Sequence, residues 1–255
     1  MSKDIQPVVE GWDFEPGSVC VRIVRGMDGR EKVQMRVDLG VLQMEINGRP
    51  DGTRPHGAES LLEHLAAQAA RHQTRDSTEE FHLSDEDCEQ LLREGVQYYY
   101  RYLSFFHLGR YDLADRDTQR NLKLFAFVRQ HAPSDQAKWR FDQYRPYVIM
   151  MNTRARAIPV FEQKRFKDAL MIIEAGIHAI HEFLVEHELE DQEEDCLELE
   201  FLKRWREEIE RTRPLDAEEK LQRQLDHAVR DENYERAAQL RDELRKLATA
   251  RPAGD

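Results

Sequence analysis

The apolar residues change period once along this chain, and that change bounds what it can fold into. Up to about residue 47 they recur at every second position: Val19, Val21 and Ile23, then Val33, Met35, Val37 and Leu39, as in half-buried strands. Asp28-Gly29 lies between the two runs and suits a tight hairpin turn. The second run is expected to continue through Leu42, Met44 and Ile46, with Gly40 marking a bulge. From Ala58 the period becomes helical, starting with Leu61, Leu62, Leu65 and Ala69 on one face. The expected fold class is α+β, mostly α, with a small N-terminal antiparallel sheet over 18–47, an irregular helical array and a C-terminal helical hairpin.

Helices are expected near 84–108, 112–131, 136–163, 167–188, 195–212, 217–230 and 233–248. Ser84 followed by Asp85, Glu86 and Asp87 reads as a capped start. Pro146 and Pro159 should kink or divide the 136–163 helix. The expected domains are 1–75 (sheet and one helix), 76–213 (helical array) and 214–255 (hairpin), with a linker at 73–80.

One turn pattern recurs. Leu108–Ala114, Gln163–Ala169 and Asp231–Ala237 each place an aromatic residue after a polar turn and an alanine three positions later. Tyr111, Phe166 and Tyr234 would wedge the turn, while Ala114, Ala169 and Ala237 would let the second helix approach. The first two resemble the turn between the paired helices of tetratricopeptide repeats, though they stand 55 residues apart rather than about 34.

The C-terminal segment from Glu218 to Ala248 has the most specific pattern. Leu221, Leu225 and Ala228 form one stripe; Ala237, Leu240, Leu244 and Leu247 form a coiled-coil-like seam. Asp231-Glu232-Asn233 supplies the connection and a cap. With its core Tyr234-Glu235-Arg236-Ala237-Ala238 followed by Leu240-Arg241-Asp242, the segment resembles the UVR motif. That helical hairpin occurs in the excision-repair proteins UvrB and UvrC, in ClpC-type unfoldase subunits and in the McsA regulator. The resemblance implies protein–protein association, with Leu221, Leu225, Tyr234, Ala237, Ala238, Leu240, Arg241 and Leu244 as partner-binding residues. The partner would be another UVR-motif protein or a second copy of the chain.

Little in the sequence points to catalysis. No GxxxxGK[ST] or GxSxG occurs, which argues against helicase, ATPase and serine-hydrolase chemistry. His178 and His181, with Glu174, Glu182 and His187 nearby, lack the HExxH spacing of a zinc site, and no CxxC pair exists. The chain is therefore expected to be non-enzymatic, with no catalytic residue, metal or cofactor. Cys20, Cys88 and Cys196 are odd in number and far apart, which fits reduced cytoplasmic thiols. No stretch is long and apolar enough for a membrane span, and the first residues have no apolar leader core.

Of 255 residues, 38 are Lys or Arg and 50 are Asp or Glu, a net −12 that disfavours nucleic acid as a partner. The sum is uneven. Residues 101–165 hold 13 Lys/Arg against 6 Asp/Glu, a local +7, and residues 166–200 hold one Lys against 12 acids, a local −11. Neighbouring helices of opposite sign are expected to pair, the alternative being a basic face left free for an acidic partner. Two further stretches are open to either a structural or a binding role. Asn47–Gly57, with Arg49, Arg54 and His56, reads as a turn or a ligand loop; Lys138–Arg145, with Trp139, Tyr144 and then Tyr147, reads as core and groove or a nucleic-acid face. The leading reading is a cytoplasmic protein-interaction adaptor. The alternative is an accessory factor in UvrB/UvrC-like excision repair, touching DNA through Arg140, Arg145, Arg154 and Arg156.

Overall fold

The computed structural model describes residues 4–73, 80–215 and 217–250, so the expected linker at 73–80 lies almost wholly outside the described residues. Helix makes up 67% and strand 8%, which is the mostly-α, α+β class. Residues 1–206 and 207–255 form two compact units.

In the first unit, β1 (Val21–Arg25), β2 (Glu31–Val37) and β3 (Gly40–Glu45) form an antiparallel sheet in chain order. Val33 stands opposite Ile23 and Met44. Val33, Met35 and Met44 are buried. The other face is polar and satisfied: Arg22 Nε donates to Gln34 Oε1 at 2.8 Å, and Gln34 Nε2 donates to Gln43 Oε1 at 2.9 Å. The second apolar run is not one strand with a bulge at Gly40; it reverses at Asp38-Leu39 and pairs Val37 with Gly40. The Leu39 N–H donates to Asp38 Oδ1 at 2.8 Å, and the Arg36 guanidinium donates to the Val37, Asp38 and Gly40 carbonyls. These bonds occupy the Leu39 N–H and three carbonyls of the reversal.

A short α1 (Gln6–Val9) precedes the sheet, and α2 (Leu61–Gln73) follows it. The array comprises α3 (Asp85–His107), α4 (Tyr111–His131), α5 (Asp135–Asp142), α6 (Arg145–Glu162), α7 (Phe166–Glu186) and α8 (Leu197–Thr212). Ser84 closes a capping box with Asp87 at the start of α3, as its sequence indicates. The expected 136–163 helix is divided at Gln143-Tyr144. Pro146 sits in the first turn of α6, where a missing N–H costs nothing, and Pro159 is carried inside α6 without dividing it. The acidic run after α7 forms a 3-10 turn, Glu190–Asp195.

Leu65, Leu91, Leu124, Val128, Phe141 and Val148 belong to the core joining α2 to α6. Buried charge ties the sheet to it. Arg101 grips Asp117 with Nε and Nη2 at 2.6 and 2.9 Å, and its Nη1 donates to the carbonyls of Glu45 and Gly48 at 2.9 and 2.7 Å. Arg116 Nη2 donates to the Ile46 carbonyl at 2.8 Å. The fully buried Glu94 accepts the N–H groups of Leu61 and Leu62 at 2.8 and 3.2 Å and pairs with Arg49 and Arg120. These bonds give the 47–57 loop a structural role: the Gly48 carbonyl accepts from Arg101 of α3, Asn47 Oδ1 accepts from Arg116 of α4, and Arg49 faces inward to Glu94.

The recurring turn has the same geometry each time. Gly109, Lys164 and Glu232 take positive φ (68°, 61° and 56°), and the N–H of the next residue returns to the carbonyl five positions back. Ala114, Ala169 and Ala237 are all buried. Tyr111 packs edge-on against Phe106 at 5.4 Å, and Phe166 against Phe161 at 5.5 Å.

Candidate protein-docking site on the C-terminal hairpin

The second unit carries α9 (Ala217–Arg230) and α10 (Tyr234–Ala250). Each helix is amphipathic, and the two apolar stripes face one another. Ala228, Ala237 and Leu240 are buried at the centre, with Leu221 and Leu225 packed against them. Alanine at 228 and 237 allows the backbones to approach, as the sequence pattern requires. Asn233 supplies the cap: its Oδ1 accepts the Arg236 N–H at 3.1 Å, and its own N–H returns to the Ala228 carbonyl at 2.8 Å. Ahead of α9, Arg213 clasps Glu219 with two parallel bonds of 2.7 and 2.6 Å.

The expected partner-binding residues separate into two sets. Ala237 and Leu240 are buried in the internal seam, with Leu221, Leu225 and Leu244 half-buried. Tyr234 is 70% exposed, and Ala238 and Arg241 are exposed as well. The Leu247 side chain lies outside the described residues. Tyr234, Ala238 and Arg241, together with Val229, line a shallow groove of 640 Å³ floored by Leu225 and Ala237. Val229 is 51% exposed and completes the apolar patch. In the sequence it accompanies Leu221, Leu225 and Ala228 on the first helix of the motif, one step off the seam. Arg230, Arg241 and Asp226 bring charge to the same groove. An apolar centre with a charged edge is the usual make-up of a protein-docking patch.

The other candidates resolve differently. His178 pairs with Glu182 at 3.4 Å and His181 with Glu193 at 3.3 Å, so the two histidines do not converge on one point. Asp142, Glu186 and His187 do bring ligand atoms within 4.8 Å of one another. There, however, His187 Nε2 sits 2.8 Å from Asp142 Oδ2, and Glu186 is held by Arg129 at 3.0 Å and Arg145 at 2.6 Å. A divalent cation would lie beside two guanidinium groups, so the cluster is an ion-pair network closing the end of α7. Burial holds the Asp142 carboxyl above its ordinary pKa against the opposing pull of His187 and Arg129.

Charge pairing between the basic and acidic stretches is partial. Arg129 and Arg145 reach Glu186, and Arg165 reaches Asp168 at 2.7 Å. Among the described residues, Lys123, Arg140, Arg154, Arg156 and Lys164 have no carboxylate partner. Trp139 stacks on Phe183 and meets His187 edge-on, while Tyr144 and Tyr147 line a groove walled by α3 and α6 with α4 and α5 behind. Among the described residues no helix is long and apolar enough to cross a membrane. No curated protein and no solved structure gave a match to the chain. Residues 219–250, most of α9 and all of α10, match the family model described as UVR: UvrB/uvrC motif, so this hairpin is a UVR motif.

Proposed function

We propose that this chain is a non-enzymatic protein-interaction adaptor, working in the cytoplasm, whose UVR hairpin docks a protein through its outer groove. The partner is another UVR-type hairpin or a second copy of the chain. One observation carries the reading. Within a segment that matches a motif of protein association, the seam already uses Leu240 and Ala237, yet Val229, Tyr234 and Ala238 stand exposed beside it as an apolar patch. The internal seam explains why the hairpin folds; the outer patch is left for a partner.

Ala238→Glu tests this, because it places a charge in the patch without touching the seam. Sedimentation and pull-down with the full chain should show loss of association at unchanged helicity. Association as strong as in the unsubstituted chain would refute the proposal.

The second reading, an accessory factor in UvrB/UvrC-like repair, draws on the same motif and on the unpaired Arg140, Arg154 and Arg156. Arg145 contributes less to it, being tied to Glu186. It predicts DNA binding that weakens steeply with salt; no binding at low ionic strength would remove it.

A further inference from the structure

Helices α3 and α6 both pack on α4, and two matched side-chain rungs bridge them. At the first, Tyr99 of α3 faces Tyr147 of α6, ring centroids 6.1 Å apart. Seven residues further along each helix, Phe106 faces Arg154, whose guanidinium carbon stands 4.5 Å from the ring centroid. A seven-residue step returns to the same face about 10 Å along the axis. Around the first rung opens a cavity of 490 Å³ lined by Leu92, Val96, Tyr99, Tyr144 and Tyr147, among others. Tyr144 is 53% exposed, so the cavity has an open mouth.

Arg154 marks the other end. Phe201 of α8 covers it from a second direction at 4.8 Å, so the guanidinium lies between two rings. Its one hydrogen bond is to Met151 Sδ at 3.6 Å, and among the described residues no carboxylate pairs with it. The side chain is half-buried, and burial lowers its affinity for its proton, a cost that Tyr147 and Tyr111 only partly offset. His107, nearby, is pushed the same way by burial and by the charge of Arg154. Arg101, Arg120 and Arg145 each have an acid, and the half-buried Arg22 and Arg36 donate instead to Gln34 and to backbone carbonyls; among the described residues Arg154 has neither kind of oxygen acceptor. An arginine held flat by aromatic rings, with its N–H edge unsatisfied, is prepared for an incoming carboxylate.

We propose that the α3–α6 groove binds an extended acidic peptide segment of a partner protein, placing an apolar side chain in the Tyr99–Tyr147 cavity and a carboxylate on Arg154. The spacing selects the ligand. The two rungs are about 10 Å apart; three residues of a polyproline-II-type extended chain cover about 9 Å and return the side chain to the same face, so the recognised pattern is an apolar residue with Asp or Glu three positions away. A single side chain does not span both rungs. This site lies in the first unit and does not depend on the hairpin.

The test selects peptides from a displayed random 12-residue library on the full chain, then measures a chosen peptide by fluorescence anisotropy. The expected peptides carry an apolar residue and an acid three positions apart. Arg154→Gln should weaken binding roughly ten- to hundredfold, replacing the peptide's acid by its amide should cost as much, and combining the two should cost little more. Arg154→Lys should fall between. Tyr144→Ala, at a half-exposed position, should weaken binding through the apolar end alone. Peptides bound equally by the Arg154→Gln chain, peptides that tolerate loss of the acid, no selected peptide at all, or displacement by single-stranded DNA would each overturn the proposal.

Discussion

Leu240→Ala separates the seam of the hairpin from its outer face. Leu240 is 1% exposed, and its described buried neighbours are only Ala228 and Ala237, with Leu221 and Leu225 at the edge. Truncating a buried leucine costs about 2–5 kcal/mol. Helices of 14 and 17 residues are marginal in water without packing, so the second unit has little reserve from which to absorb that loss. The expected outcome is melting of α9 and α10 at 25 °C, seen as a partial drop in circular dichroism at 222 nm, while calorimetry shows the main transition of residues 1–206 in place. Ala238→Glu, exposed on the same helix, should change stability by no more than about 0.5 kcal/mol. A Leu240→Ala chain that keeps its full helical signal and all its transitions would refute the seam as the source of the hairpin's stability.

Three further outcomes follow from the first unit. Asp117→Ala leaves the buried Arg101 guanidinium without its two carboxylate bonds; the loss should be about 3–5 kcal/mol, or roughly 6–20 °C in Tm for a unit of this size, and a shift under about 2 °C would contradict the pairing. Gly176→Ala would drive a Cβ into the Thr153 side chain across the α6–α7 contact, destabilising by about 1–3 kcal/mol; Thr153→Ala should restore much of it, and if it restores nothing the close approach is not the cause. Burial and then the neighbouring Tyr99 push the Tyr147 phenol from 10.0 up to about 12. A raised pKa stabilises the fold below pH 10 and that contribution is lost as pH rises through 12, so Tyr147→Phe should flatten the fall in Tm over that window, and an unchanged slope would count against it.

Much of the fold was legible because the local signals were redundant. The capping box at Ser84, the polar turns before Tyr111, Phe166 and Tyr234, and the buried alanines three residues on each state the same boundary in more than one way. The reversal at Asp38-Leu39 was hidden because a two-residue turn preserves the period of two across it, so strand and turn share one alternation. The hairpin's seam, with Ala237 on it and Ala238 off it, followed from spacing. That Tyr234, Ala238 and Arg241 gather with Val229 on one outer groove did not, because that depends on how the two helices meet. The groove at Tyr99, Tyr147 and Arg154 was less visible still. Its rungs come from helices almost fifty residues apart, and an arginine without an acid cannot be recognised before all the pairings are known.

The most direct test of the docking face is a photo-crosslinking amino acid at position 234, incorporated into the full chain in cells and followed by mass spectrometry of the crosslinked peptides. The account predicts crosslinks to the α9–α10 segment of a second copy or to a UVR-type hairpin of another protein, and their loss when Ala238→Glu is added. Crosslinks confined to the same chain, or to nucleic acid, would contradict it.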